Sequence, residues 1–244
     1  MNKKIAILLT LMMLTNGYAQ ETQKLSEKII QTQLLTEKES FYLVENQSNK
    51  GGDSSTIKAF ELNIELKYTA DGGKSFTYCQ LDSVKKTLST GYNISAISIS
   101  FIDRSVGFIY GYASAYTYYP FLFRTEDGGK TWQTIFANTI DVPLRRGDFY
   151  MFNEKKGILI LNWNSQPNFN YMITEDRGKS WQQKSYTISR DDIRILNEDS
   201  MLTTHYSPSG LVMIRFNNHD PKATNKLKSL IIQSTDFGQT FVEL

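Results

Sequence analysis

Cysteine and histidine are nearly missing from this sequence. Cys79 stands alone, and His205 and His219 are the only histidines among 244 residues. A single thiol excludes a disulfide framework within the chain. The set is also too small for a Cys/His zinc centre, so no metal or cofactor is expected. No Gly-x-Ser-x-Gly elbow occurs, and Cys79 has no histidine near it in the sequence. Nucleophilic catalysis therefore lacks its usual signature, and Cys79 reads as a small hydrophobe inside a sheet. No apolar run reaches the roughly 20 residues that a bilayer-spanning helix needs. With 40% hydrophobic and 13% aromatic residues, the chain is neither a disordered tail nor a low-complexity segment.

What is present begins with an export signal. Met1-Asn2-Lys3-Lys4 is a short positive segment, and Ile5 to Leu14 is apolar except for Thr10. Gly17 and Ala19 fit the small-residue positions of a signal-peptidase site, which predicts a leader over residues 1–19, cleavage after Ala19, and a domain over 20–244. No cysteine follows the run, so a lipoprotein site is not expected. Loss of Lys3 and Lys4 lowers the 27 basic residues to 25, equal to the 25 acidic ones. The mild basicity belongs to the leader. A nucleic-acid partner, which needs a basic surface, is not expected. The expected location is periplasmic or secreted in a bacterium, with no stable membrane span after processing.

One eight-residue pattern occurs four times. It runs from Thr69 to Phe76, from Thr125 to Trp132, from Thr174 to Trp181 and from Ser234 to Phe241, and reads [ST]-x-D-x-G-x-[ST]-[WF]. Such a pattern predicts a hairpin turn. Asp71, Asp127, Asp176 and Asp236 can accept hydrogen bonds from N–H groups just downstream. Gly73, Gly129, Gly178 and Gly238 can take positive φ. Phe76, Trp132, Trp181 and Phe241 are large enough to anchor the outgoing strand in the core. The four aspartates stand at equivalent places in separate repeats, which argues for turn structure over catalysis or calcium binding. Gly-Lys-[ST] recurs three times, but the earlier glycine of a phosphate loop is replaced by Tyr68, Arg124 and Ile173.

This pattern resembles the Asp-box, or bacterial neuraminidase repeat. The resemblance implies a β-propeller in which the box joins the third and fourth strands of each blade, at the periphery and away from a central ligand-binding face. The order Ser98 to Asp103, Val106 to Gly111 and Phe121 to Arg124 is similar to photosystem II assembly-factor-like and sortilin-like propellers. Met151 to Asn153 with Gly157 to Leu159 repeats that layout. A sialidase of this kind would carry an arginine triad, an acid aspartate, a tyrosine–glutamate pair and an early Arg-Ile-Pro motif. No Arg-Ile-Pro occurs. Fold is strongly implied and function weakly.

The box aspartates are 56, 49 and 60 residues apart, each interval holding four short strands. The expected fold is all-β, a small propeller of four blades, with a five-bladed or irregular form as the rival. Blade one falls at about 24–81, blade two at 82–139, blade three at 140–185, and blade four takes the rest. The strands of blade four are expected to include Ile193–Leu196, Ser200–His205, Gly210–Phe216, Ser229–Ser234 and Thr240–Glu243. Leu25–Glu39 reads equally as helix or strand, and ring closure is left to the N-terminal segment or to direct blade packing.

Asp103, Asp148, Asp191 and Asp192 are candidate acids for glycoside hydrolysis, and surface turns account for them more simply. The stronger binding candidates are aromatic–polar loops between second and third strands. Tyr112, Tyr116 and Tyr118 belong to a tyrosine-rich stretch in blade two, Trp163 and Asn164 to the corresponding loop of blade three, and His219 to that of blade four. Corresponding loops share one face of a propeller. The expectation is a non-enzymatic binding or scaffold protein for a protein, peptide or glycan. The alternatives are a glycoside hydrolase and a structural module of a cell-envelope complex.

Overall fold

Along Ser229–Ser234 every second side chain is buried, the period-two signature of a strand whose faces meet different neighbours. Gly157–Leu161 is buried throughout, because sheets cover both of its faces. The computed structural model describes residues 26–47, 63–88, 93–114, 118–137, 148–161, 168–188, 201–217 and 229–244. These residues form four antiparallel sheets of four strands each, taken in chain order. The protein is an all-β propeller of four blades.

The first blade contains β1 (Ser26–Leu34), β2 (Ser40–Gln47), β3 (Ile64–Thr69) and β4 (Thr77–Tyr78). The second contains β5 (Asn93–Phe101), β6 (Gly107–Ser114), β7 (Tyr118–Thr125) and β8 (Gln133–Ala137). The third contains β9 (Asp148–Met151), β10 (Gly157–Leu161), β11 (Asn168–Thr174) and β12 (Gln182–Thr187). The fourth contains β13 (Met201–Tyr206), β14 (Val212–Asn217), β15 (Ser229–Ser234) and β16 (Val242–Glu243). The ambiguous segment is therefore the strand β1. Ile193–Leu196 lies outside the described residues, as does the leader expected over 1–19. One element was not legible as such: helix α1 (Asp82–Leu88), which leads from the first blade to the second and buries Val84 and Leu88.

The four sheets share one register. The hydroxyl residue opening each box pairs with the residue at the start of the second strand: Ser40 with Thr69, Gly107 with Thr125, Gly157 with Thr174, and Val212 with Ser234. Side chains of each strand then divide between the preceding and the following blade. Phe41, Leu43 and Leu66 meet Ile99, Ile109, Phe123 and Trp132 between blades one and two. Phe108 and Leu122 meet Phe149, Leu159 and Met172 between blades two and three. Ile158, Ile160 and Phe169 meet Ile214, Ile232 and Phe241 between blades three and four. Burial at about 25 cal/mol per Å² makes these three interfaces the main source of stability.

The box aromatics show the direction of packing. Trp132, Trp181 and Phe241 each join the cluster shared with the preceding blade. Phe76 departs from the expectation that it anchors its strand in the core. It is 44% exposed and touches Tyr42 edge-on at 5.6 Å. It joins none of the hydrophobic clusters that the described residues form. Among the described residues no hydrophobic cluster joins blade four to blade one. Where the other three blades carry Phe123, Met172 and Ile232, blade one carries Lys67, which is paired with Glu27 and lies 5.0 Å from the Tyr78 ring centre. Where inner blades carry Tyr110 and Ile160, blade four carries the exposed Arg215.

Candidate functional site

The four box turns have nearly identical chemistry. In each, the opening hydroxyl donates to Oδ1 of the aspartate at 2.7–2.9 Å. The same hydroxyl oxygen accepts the N–H of the box glycine at 2.9 Å. The second Ser or Thr donates its N–H to Oδ1 at 2.9 Å and its hydroxyl to Oδ2 at 2.6 Å. For Asp71, the Ser75 hydroxyl and N–H lead the forces holding the carboxyl well below the usual range. Desolvation pushes Asp127, Asp176 and Asp236 upward, but the Ser/Thr hydroxyl and backbone N–H groups together bring them below it. These carboxylates are committed to their own turns.

Each turn also ties the two hairpins of its blade together. The residue after the aspartate donates its N–H to a carbonyl in the turn between the first and second strands. The pairs are Gly72 to Lys38, Gly128 to Ser105, Arg177 to Lys155 and Phe237 to Gly210, at 2.9–3.0 Å. That residue has φ of 74°, 72°, 64° and 63° in the four copies. Arg177 and Phe237 adopt this left-handed region although they carry side chains.

Antiparallel order puts the box turns and the first-to-second turns at one end of the blades. The second-to-third connections lie at the other. At that end the tyrosine-rich stretch is mostly strand. Tyr112 is half-buried within β6, opposite Ala96 and Pro120, and Tyr118 opens β7 opposite Ser114. Residues 115–117 between them lie outside the described residues. Tyr116, Trp163, Asn164 and His219 lie outside the described residues, as do Asp191 and Asp192.

The structure brings together a group that sequence reading did not assemble. First strands of neighbouring blades meet around the axis, and there Asp148 opens β9 instead of lying in a surface turn. Its Oδ2 accepts the Thr204 hydroxyl of the next blade, and its Oδ1 accepts the Phe149 N–H at 3.1 Å. Tyr150 stacks on Tyr206 at 4.8 Å between ring centres, and Tyr110 stacks on Phe149 at the same distance. Burial, then the Asp148 charge, pushes the Tyr110 phenol up to about 12. The same two causes push Tyr206 well above its ordinary value. The Tyr206 hydroxyl is buried without a well-formed hydrogen bond. The cluster thus gathers one carboxyl group, a threonine hydroxyl and two phenols. Asp103, by contrast, does sit in a turn, where it accepts the N–H groups of Ser105 and Val106 and pairs with Arg177 at 2.6 Å.

No family model matches the chain, and no curated protein matches it. Among solved structures the chain is similar to the NanB sialidase of Streptococcus pneumoniae, at 12% identity and a TM-score of 0.42, covering 92% of this chain and 52% of that one. It is also similar to a GH93 α-L-arabinofuranosidase of Fusarium graminearum, at 12% identity and a TM-score of 0.40, covering 84% of this chain and 63% of that one. The chain spans about half the length of the sialidase.

Proposed function

We propose that this protein is an exported, non-enzymatic binding propeller that recognises a peptide or glycan at the end of the blades opposite the box turns. The observation behind this reading is the β6–β7 hairpin. Tyr110 and Tyr112 stand on β6 and Tyr118 and Tyr119 on β7, and the backbones of these strands pair from Gly107 with Thr125 to Ser114 with Tyr118. Rigid amphipathic rings offer contact area at small entropic cost. The test is capture from an envelope extract, together with glycan-array binding, for the wild type and a Tyr116→Ala/Tyr118→Ala variant. The variant is expected to lose the bound species. Unchanged recovery by a folded variant rejects this end as the site. Export is tested by sequencing the mature N-terminus, which is expected to begin at Gln20.

A second reading is favoured by Asp148. Asp148 accepts the Thr204 hydroxyl and its charge acts on the buried Tyr110 and Tyr206 phenols, which makes it one candidate for the pair of carboxyl groups that glycoside hydrolysis needs. Release of an aryl leaving group from glycosides by the wild type, lost in Asp148→Asn, would establish it over the first.

A further inference from the structure

Directly paired residues of antiparallel strands share one face of their sheet. The strand register therefore gives every blade a face toward the blade before it and a face toward the blade after it. At two junctions the same contact recurs. A β-carbon on Gly178, in the box of blade three, would fall 2.5 Å from the ring of Phe108 in blade two. One on Gly238, in the box of blade four, would fall 2.8 Å from Ile158 in blade three. Phe108 and Ile158 are both the second residue of their blade's second strand, next to the residue that pairs with the box hydroxyl. A box glycine thus seats this side chain of the preceding blade. At Gly129 of blade two, Cys79 takes the place, with its β-carbon at 2.8 Å.

Both halves of one more such contact lie unused at the surface. A β-carbon on Gly73, in the box of blade one, would meet only Phe76 of the same turn. Met213 is the second residue of β14, the counterpart of Phe108 and Ile158, and is only half-buried. The surroundings match. The large hydrophobic side chains exposed among the described residues all belong to blades one and four, Leu34 at 71% and Leu244 at 68% being the most exposed. Register puts Ile29, Leu34 and Tyr78 on the face of blade one that holds Lys67, where Phe76 meets Tyr42. It puts Val242 on the face of blade four that holds Met213 and Arg215, and Leu244 bonds Ile231 of that face. Blade four of the same chain therefore does not cover blade one. The charges are complementary as well. Glu27 and Glu65 share the single ammonium of Lys67, which leaves the strands of the blade-one face one negative charge in excess. Arg215 is exposed on the blade-four face and has no carboxylate partner among the described residues.

We propose that the outer face of blade four docks on the outer face of blade one of a second copy of this chain, repeating the junction that the chain makes between its own blades. Met213 of one copy rests on Gly73 of the other. Phe76 gains the cover that Trp181 and Phe241 receive from the blade before them, and Arg215 meets the acidic face. Exposed apolar surface on this scale marks an interaction face. A second copy is the occupant because it carries the matching half of every contact: the glycine, the side chain that seats on it, and the opposite charge. The two faces differ, so the contact is heterologous: a pair closes into a ring where both junctions form, and further copies add where they do not. The proposal is independent of what the tyrosine hairpin binds.

The experiment is sedimentation velocity on the full mature chain, from micromolar to near-millimolar concentration, with two surface variants. Leu34→Asp/Phe76→Asp spoils the blade-one face, and Arg215→Glu/Val242→Asp spoils the blade-four face, all at exposed positions. The wild type is expected to associate as concentration rises, and each variant alone is expected to stay monomeric. An equimolar mixture of the two variants is expected to form a one-to-one complex, because one intact blade-four face then meets one intact blade-one face. Circular dichroism reports whether each variant is folded, and if one is not, the wild type and the other variant decide. A wild type that is monomeric throughout, even one that binds a different envelope protein, would overturn the proposal. So would undiminished association of a folded variant, or a mixture of two folded variants that stays monomeric.

Discussion

The side-chain amide of Gln31 donates to the carbonyl of Ile99 at 2.9 Å and accepts the Ile99 N–H at 2.8 Å. Two residues on, Gln33 makes the same pair of bonds with Phe101. Two side chains of β1 thereby satisfy the edge of β5 as a neighbouring strand would, and join blades one and two at the axis. Gln31→Ala removes both partners of Ile99 in a part-buried setting and should cost about 1–3 kcal/mol. Urea denaturation should show a lower midpoint with an unchanged slope. An unchanged midpoint would mean that the clamp adds nothing to stability.

The box glycines should differ in their tolerance of a side chain according to blade position. A β-carbon on Gly178 would fall 2.5 Å from the Phe108 ring of the preceding blade, whereas one on Gly73 meets only Phe76, at 3.8 Å. Both residues have positive φ. Gly73→Ala should cost about 1–2 kcal/mol for backbone strain alone. Gly178→Ala should cost about 1–3 kcal/mol more for overpacking. Equal losses in thermal melts would contradict the assigned order of blades.

Acid should loosen the boxes. Asp127, Asp176 and Asp236 have carboxyls held below the usual range. A lowered folded value contributes stability above the unfolded value of about 4, and that contribution is lost as pH falls further. Asp127→Ala should be less stable at neutral pH and should show a flatter decline below about pH 4. A decline as steep as that of the wild type would place the acid sensitivity elsewhere.

Cys79 should be a slow thiol. It is half-buried and donates to the Gly128 carbonyl at 3.4 Å. Burial, aided by the Asp127 charge, pushes it up to about 12. Its contribution to stability is whole below the unfolded value of about 8.5 and is lost as pH rises from there toward 12. Reaction with an aromatic disulfide near pH 8 should be slow in the native protein and fast in denaturant. Rapid native labelling would show that the thiol is exposed.

Tyr206→Phe should cost little, because the hydroxyl it removes is buried and poorly bonded. The raised Tyr206 value favours the fold below about pH 10 and ceases to do so as pH climbs beyond it. The phenylalanine variant should therefore hold its stability further into alkali. Measured stability at rising pH in the two proteins checks this, and parallel curves would count against it.

Much of this architecture was written in local sequence. The box is a hydrogen-bonding pattern closed within eight residues, so its four copies announce four turns, and their spacing announces four strands to each. Blade boundaries followed because every strand repeats one register against its box. Strand β1 stayed ambiguous because Gln31 and Gln33 break its apolar alternation, and their partners lie on another blade. Asp148 read as a surface acid for the same reason: its neighbours Thr204 and Tyr110 come from other blades. Most of the loop residues chosen from sequence lie outside the described structure.

The sequence by itself determined the turn and the repeat, since each rests on contacts between residues close in the chain, and it left five blades as the rival to the four that the structure shows. Only the tertiary structure decided which faces those blades bury. Phe76 and Trp132 end the same motif, yet one is exposed and the other buried, because a blade packs its box aromatic against the blade before it. Gly128, Arg177 and Phe237 occupy one position of that motif as well. What each does there is set by the groove beside it, and that groove is formed by a neighbour about fifty residues earlier in the chain.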